Sequence, residues 1–290
     1  MHTSISITNY TLEGGTSALA AHLRDVAKLA DETGIDTVWV TDHLLQADPA
    51  ANLDDPMLEA YTTLGFLAAA STRVRLGAMV TPVTFRRPAV LLKAVTTLDA
   101  LSRGRAWLGL GAGYEGDEAR AMGLPLPPIA ERFEHLEDTL RLARQIQTGD
   151  DSPFRGRRHA LDHPLIRPAS MAEPHLPIMV GGTGERRTLR LVARFADACN
   201  LFDIPDGGAT VRHKLDVLRR HLDDVGRPPS EVEVTLSTAL SPDEDAASFR
   251  RRCAEIAQLG IDHVVVITRG RPWDAEAVAT VAAAQSVGTE

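Results

Sequence analysis

Aromatic side chains make up only 4% of this 290-residue chain, so its core has to be packed mainly from aliphatic groups. Cysteine is nearly absent. Cys199 and Cys253 form neither a metal-ligand nor a disulfide pattern, and they fit a reducing compartment. No apolar run reaches membrane-spanning length, and the opening residues MHTSISITNY lack the charged and apolar regions of a signal peptide. The expectation is a soluble, cytoplasmic protein. Basic excess is missing too: the net charge of −8 supports neither a nucleic-acid nor an anionic-membrane surface. G-x-S-x-G, a P-loop and H-E-x-x-H do not occur. That counts against a serine hydrolase, a P-loop NTPase and a zinc peptidase.

What is present is an alternation of short apolar runs and amphipathic segments. Arg73–Val83 and Ala106–Tyr114 read as strands without polar alternation, joined by a helix over Arg86–Arg105. Pro88 suits the first helical turn, and Gly104 stops the helix as a C-cap glycine would. Upstream, the pattern gives strands at Ser4–Thr8 and Asp36–His43, with helices at Ser17–Gly34 and Asp54–Thr72. In the second helix Asp55 suits the N-cap and Pro56 the N1 position. Downstream come a helix at Glu131–Gln147 and strands at Leu176–Gly182, Ala198–Phe202, Glu231–Leu240 and Asp262–Thr268. Helices interleave with them at Glu185–Asp197, Ala209–Gly226, Asp243–Gly260 and Asp274–Ser286. Eight strands alternating with eight helices predict a single-domain (β/α)8 TIM barrel over residues 1–290, with a doubly wound sheet as the alternative. Residues 148–176, rich in proline, glycine and charge, read as a long loop excursion that is functional or mobile.

Four strand ends concentrate unusual residues: Thr41-Asp42-His43, Met79-Val80-Thr81-Pro82, Gly111-Ala112-Gly113-Tyr114-Glu115 and Gly181-Gly182-Thr183-Gly184. In a barrel all four open on one rim, where such folds place their chemistry. His43 is a candidate general acid or base, or simply a member of an Asp–His cap. GAGYEG matches G-x-G-x-x-G, but no long helix and no acidic strand end follow. Its glycines read better as room for a cofactor ring or a neighbouring backbone. GGTGERRT resembles a phosphate cradle at a helix start, with Arg186 or Arg187 adding charge; a plain tight turn is the alternative. His159 and His163 read as solvated and the Glu131/His135 pair as helix surface, so no metal site is expected.

Taken together, GIDTVWVTDHLLQ, the run from Asp54 to Tyr114, RFEHLEDTLRLARQI and PIMVGGTGERRTLRLVARFADACNLF resemble the luciferase-like monooxygenase superfamily. The likeness is to its actinobacterial branch that depends on coenzyme F420. The resemblance implies a barrel holding a flavin or deazaflavin at its C-terminal rim, against a strand-three bulge that often contains a non-prolyl cis peptide. By position that peptide would be Met79–Val80. Asp42, Met79, Val80, Thr81, Gly111 and Gly113 would form the ring pocket. Gly181, Gly182, Thr183 and Gly184 would contact the ring's far edge or the ribityl-phosphate. His43 would face the reactive side of the ring, with Tyr114 or Glu115 as a second catalytic candidate. Relatives that oxidise sugar phosphates or secondary alcohols carry glutamate where this chain has Tyr114, and tryptophan where it has Ala47. These departures point to another reductase or oxygenase of the group. The implied activity is hydride transfer between coenzyme F420 and a small organic substrate. An FMN-dependent monooxygenase fed by a separate reductase is the alternative, and a non-catalytic cofactor-binding protein the third. An apolar outer helix face is open to a homodimer, common among relatives.

Overall fold

The computed structural model describes residues 1–286. Its strands are β1 (His2–Ile7), β2 (Thr37–Val40), β3 (Arg75–Ala78), β4 (Ala106–Gly111), β5 (Ile178–Gly181), β6 (Ala198–Phe202), β7 (Glu233–Ala239) and β8 (His263–Ile267). They pair in the order β3-β2-β1-β8-β7-β6-β5-β4, every pairing is parallel, and β3 also pairs with β4, which closes the ring. This is the closed (β/α)8 barrel that the alternation predicts; the doubly wound alternative would leave open edges. No helix among the described residues is long and apolar enough to cross a membrane.

The helices are α1 (Leu19–Thr33), α2 (Ala60–Ala70), α3 (Pro88–Ser102), α4 (Gly116–Ala121), α5 (Ile129–Gln147), α6 (Thr188–Phe195), α7 (Ala209–Val225), α8 (Ala246–Ala257) and α9 (Ala275–Ala282). Side chains of one parity along the strands, such as Ile5, Val38, Leu76 and Leu108, join the helix faces in the main apolar core. α1 presents Leu19, Leu23, Val26, Ala27 and Ala30 to it, the face that helical spacing picks out. The other parity fills the barrel. There Trp39, Trp107, Met179, Ala198 and Val265 form a separate cluster, with Met79 packed against it. Trp39 and Trp107 flank Gly77 in register, with ring centroids 5.7 Å apart. A Cβ on Gly77 would lie 2.6 Å from the Trp39 ring, so the indole pair requires glycine there. Polar and charged groups close the N-terminal mouth: His263 joins Ser4 Oγ and Glu233 Oε1, each at 2.6 Å, while Arg75 pairs with Asp36 and stacks over Trp107.

Several boundaries differ from the sequence reading, and three of them have a clear local reason. α2 begins at Ala60, not near Pro56, because Asp55 closes its own turn with Asn52. Glu59 is the N-cap instead, accepting from the Thr62 N–H at 2.7 Å. α3 does start at Pro88, but Arg103 is the first left-handed residue after it (φ 61°), and Gly104 follows. α6 begins at Thr188, after a turn over Glu185–Arg187. The excursion at 148–176 contains a short antiparallel hairpin, Phe154–Arg155 against Ala160–Leu161. Two buried carboxylates tie it down: Asp99 accepts from Ser170 Oγ and the N–H groups of Met171 and Ala172, and Asp138 accepts from the N–H groups of Arg157, Arg158 and His159.

Candidate active site

The apolar run of β2 ends at Val40, and the next three residues turn over the C-terminal rim. Asp42 points inward, with its side chain fully buried. A buried carboxylate needs compensating donors. Asp42 has them in Arg86, at 2.5 and 3.0 Å, and Thr81 Oγ1, at 2.7 Å. Arg86 also reaches Glu59 and lies over the Tyr61 ring, whose hydroxyl is 2.7 Å from Thr81 Oγ1. Asp42 and Thr81 thus sit beneath the rim as braces, locking the end of β2 to the segment that follows β3.

That segment is a bulge. The Met79–Val80 peptide is cis, and Thr81–Pro82 resumes pairing with β4. Met79 points down to the indole cluster, while Val80 stays partly exposed at the rim. The glycines around Val80 are explained by its side chain. A Cβ on Gly111 would lie 2.7 Å from Val80 Cγ2, and one on Gly181 at the same distance; on Gly109 it would meet the Ala78 carbonyl. Glycines on β4 and β5 therefore seat the bulge. Gly113 (φ 78°) and Gly182 (φ 106°) need glycine for their backbone conformation. Arg132 donates to the Gly113 carbonyl.

His43 lies on the other flank, and its position depends on a residue that sequence reasoning passed over. Glu118, on the six-residue helix α4, lies 2.9 Å from His43 Nδ1 and accepts from the N–H groups of Leu44 and Leu45 at 2.5 and 3.0 Å. Burial alone would raise the Glu118 pKa, but these hydrogen bonds overcome it and hold the carboxyl below the usual glutamate value. Tyr114 packs edge-on to the His43 ring, centroids 6.1 Å apart, and is otherwise exposed. Partial burial, then the nearby Glu115 and Glu118, push its phenol pKa up, so it stays neutral at ordinary pH. A cleft of about 420 Å³ opens beside His43. The loop after β2 (Leu45, Gln46, Ala47, Leu53) and α4 with its N-cap (Glu115, Asp117, Glu118, Arg120, Ala121) line it; the 148–176 excursion contributes nothing.

Gly182, Thr183 and Gly184 lead from β5 into the turn before α6, and no side chain caps that helix. Neither expected arginine points at a single anion position: Arg187 stacks over Phe133, while Arg186 lines a groove against α7 with Arg220 and His221. His135 and His159 bond each other at 2.9 Å rather than lying apart in solvent, and His163 remains exposed. Among the described residues no group of three or more His, Cys, Asp or Glu could hold a metal ion. Glu118 and Arg86 are the residues missed. The only sequence signal for Glu118 was an acidic residue set just past the G-x-G turn.

Comparison with known proteins places the chain in a family. A curated relative, the F420-dependent glucose-6-phosphate dehydrogenase of Kineococcus radiotolerans, is 33% identical over 228 residues, or 78% of this chain and 65% of its own length. The match thus spans just under two thirds of that relative. Two solved structures superpose with TM-scores of 0.79. One is the monooxygenase RslO1 from Streptomyces bottropensis, 19% identical and covering 97% of this chain and 96% of its own. The other is an F420-dependent secondary alcohol dehydrogenase in complex with an F420-acetone adduct, 18% identical and covering 98% of each chain. The family model for luciferase-like monooxygenases matches residues 1–284. The chain belongs to the luciferase-like monooxygenase family.

Proposed function

We propose that this protein is an oxidoreductase that moves a hydride between coenzyme F420 and a small organic substrate, with His43 handling the accompanying proton. The observation that carries the reading is a buried carboxylate holding a histidine at the edge of a cleft, on the same rim as a glycine-seated apolar bulge. The residues present fit a planar ring with polar edges. Val80 offers a small apolar face, and the glycines beside it keep that face free of further side chains. Buried polar atoms without protein partners, Gln46 Nε2, Thr84 Oγ1 and Arg132 Nε, lie in the rim segments. Met79, Val80, Gly111, Gly113 and Gly181 through Gly184 would hold the cofactor, with Asp42 and Thr81 bracing the bulge from below. When bound, the deazaflavin supplies the hydride acceptor or donor.

The chain's own part is orientation and proton handling. The rim fixes donor and acceptor next to each other, which removes much of the entropic cost of the encounter. His43 takes a proton from a substrate hydroxyl in the oxidising direction and returns it to a carbonyl or imine in the reducing one. Tyr114, neutral and touching His43, is the second proton-carrying candidate, with Glu115 behind it in the cleft wall. The cleft does not suit a sugar phosphate. Its lining holds Glu115, Asp117 and Glu118 against one cation, Arg120, which is paired with Asp117. Ala47 adds only a methyl group to its wall.

A second reading, an FMN-dependent monooxygenase fed by a partner reductase, draws on the equal structural likeness to RslO1. Oxygen uptake separates the two, because reduced flavin reacts readily with oxygen and reduced deazaflavin does not. Anaerobic turnover of reduced F420 with enones, imines or ketones is the expected result. Turnover that requires oxygen and reduced FMN would replace the first reading by the second. The same proposal takes the protein to be cytoplasmic and homodimeric; sedimentation of the purified chain checks the dimer.

A further inference from the structure

We propose that Glu118 is a positioning residue that holds the neutral His43 ring in a single tautomer, with the proton on Nδ1 and the Nε2 lone pair turned to the cleft. The donors and acceptors around Glu118 fix where the proton sits. An ionised carboxylate only accepts. Glu118 Oε1 takes the Leu44 and Leu45 N–H groups, and Oε2 lies 2.9 Å from His43 Nδ1, so Nδ1 has to donate. The residue is 6% exposed, which keeps water from competing for these bonds. His43 Nε2 has no partner among the described residues, and the ring lines the cleft. Nε2 is therefore the nitrogen that meets a reacting group, and Nδ1 never does. One carboxylate also ties the chain direction just after His43 to the ring plane, because it grips the next two backbone N–H groups as well. Only the proton-transfer role of Nε2 rests on the oxidoreductase reading; the tautomer does not.

The same donors and acceptors give a specific consequence for Glu118→Gln, which keeps size and shape. Two backbone N–H groups can be met only by the amide oxygen, so the amide NH₂ is left facing His43 Nδ1. Nδ1 must then accept, and the proton moves to Nε2. A residue with a merely structural role would leave the ring's tautomer unchanged. The test uses the full-length, cofactor-free protein labelled with ¹⁵N, recorded at about pH 8. Two-bond ¹⁵N–¹H spectra, with His43 assigned by its absence in His43→Asn, should show Nδ1–H for the wild type and Nε2–H for Glu118→Gln. Glu118→Ala, with no partner at Nδ1, should show exchange between the two forms. As an independent readout, bromoacetamide should alkylate wild-type His43 at Nε2, and this product should fall at least about tenfold in Glu118→Gln. A wild-type ring protonated at Nε2, or a ring in exchange, overturns the proposal, and that arm decides it even where a variant fails to fold. An unchanged Nδ1–H signal in a folded Glu118→Gln also overturns it. If the tautomers behave as stated but neither F420 nor FMN binds, the functional reading fails and the assignment of Glu118 stands. In a working enzyme the inverted tautomer should lower kcat by about 10²–10⁴-fold with KM little changed.

Discussion

His43 lies three residues past the end of β2, where a carboxylate from another element catches its ring. Replacing His43 with alanine should reduce turnover by about 10²–10⁴-fold under the proposed role. A loss of only a few-fold would remove it from proton transfer. Gly181 makes a different prediction, one about packing. A methyl group there would press on Val80, so Gly181→Ala should destabilise by about 1–3 kcal/mol in urea unfolding. Adding Val80→Ala should recover most of that loss, because the two residues share one space. Equal destabilisation with and without the second change would refute the seat. These residues were visible in the sequence to different degrees. His43 and the glycines announced themselves as abrupt strand ends. Their partners did not, because contacts at sequence separations of 75 for His43–Glu118 and 44 for Asp42–Arg86 leave no periodic trace. The same gap hid what Gly111 and Gly181 accommodate: glycine marks a close approach without naming the neighbour.

Elements were legible where burial on one face dictates a period, and less so at their ends. The face of α1 follows from spacing alone, whereas α2 starts where Glu59 finds the Thr62 N–H and Arg86, and the second of these comes from the segment after the bulge. The entry into β3 is set by Asp31 on α1, which accepts from Thr72 Oγ1 and from the N–H groups of Thr72, Arg73 and Val74. Burial would raise its pKa, but these four donors outweigh that and lower it to about 2. A carboxyl depressed on folding adds stability above its unfolded value of about 3.9, and that contribution disappears as pH falls towards 2. Asp31→Asn should therefore cost about 1 kcal/mol near neutrality, a figure already reduced for the site's exposure. Its melting temperature should converge on that of the wild type as pH drops below about 3. A constant difference across that range would mean that the ionised form of Asp31 carries none of the effect.

The barrel as a whole was readable because eight repeats of one pattern allow few other solutions, and closure follows from the β3–β4 pairing. Chemistry is less readable at that level. A monooxygenase and an F420-dependent dehydrogenase superpose on the chain equally well, so the fold alone does not choose the cofactor. Here the rim pairs a small apolar bulge with an acidic cleft and a histidine held by Glu118. The most direct measurement is a fluorescence titration of the cofactor-free protein with coenzyme F420 and, separately, with FMN. Saturable binding of F420, clearly tighter than that of FMN, is the expected result. Preference for FMN would contradict it in favour of oxygen chemistry, and binding of neither would remove the cofactor assignment altogether.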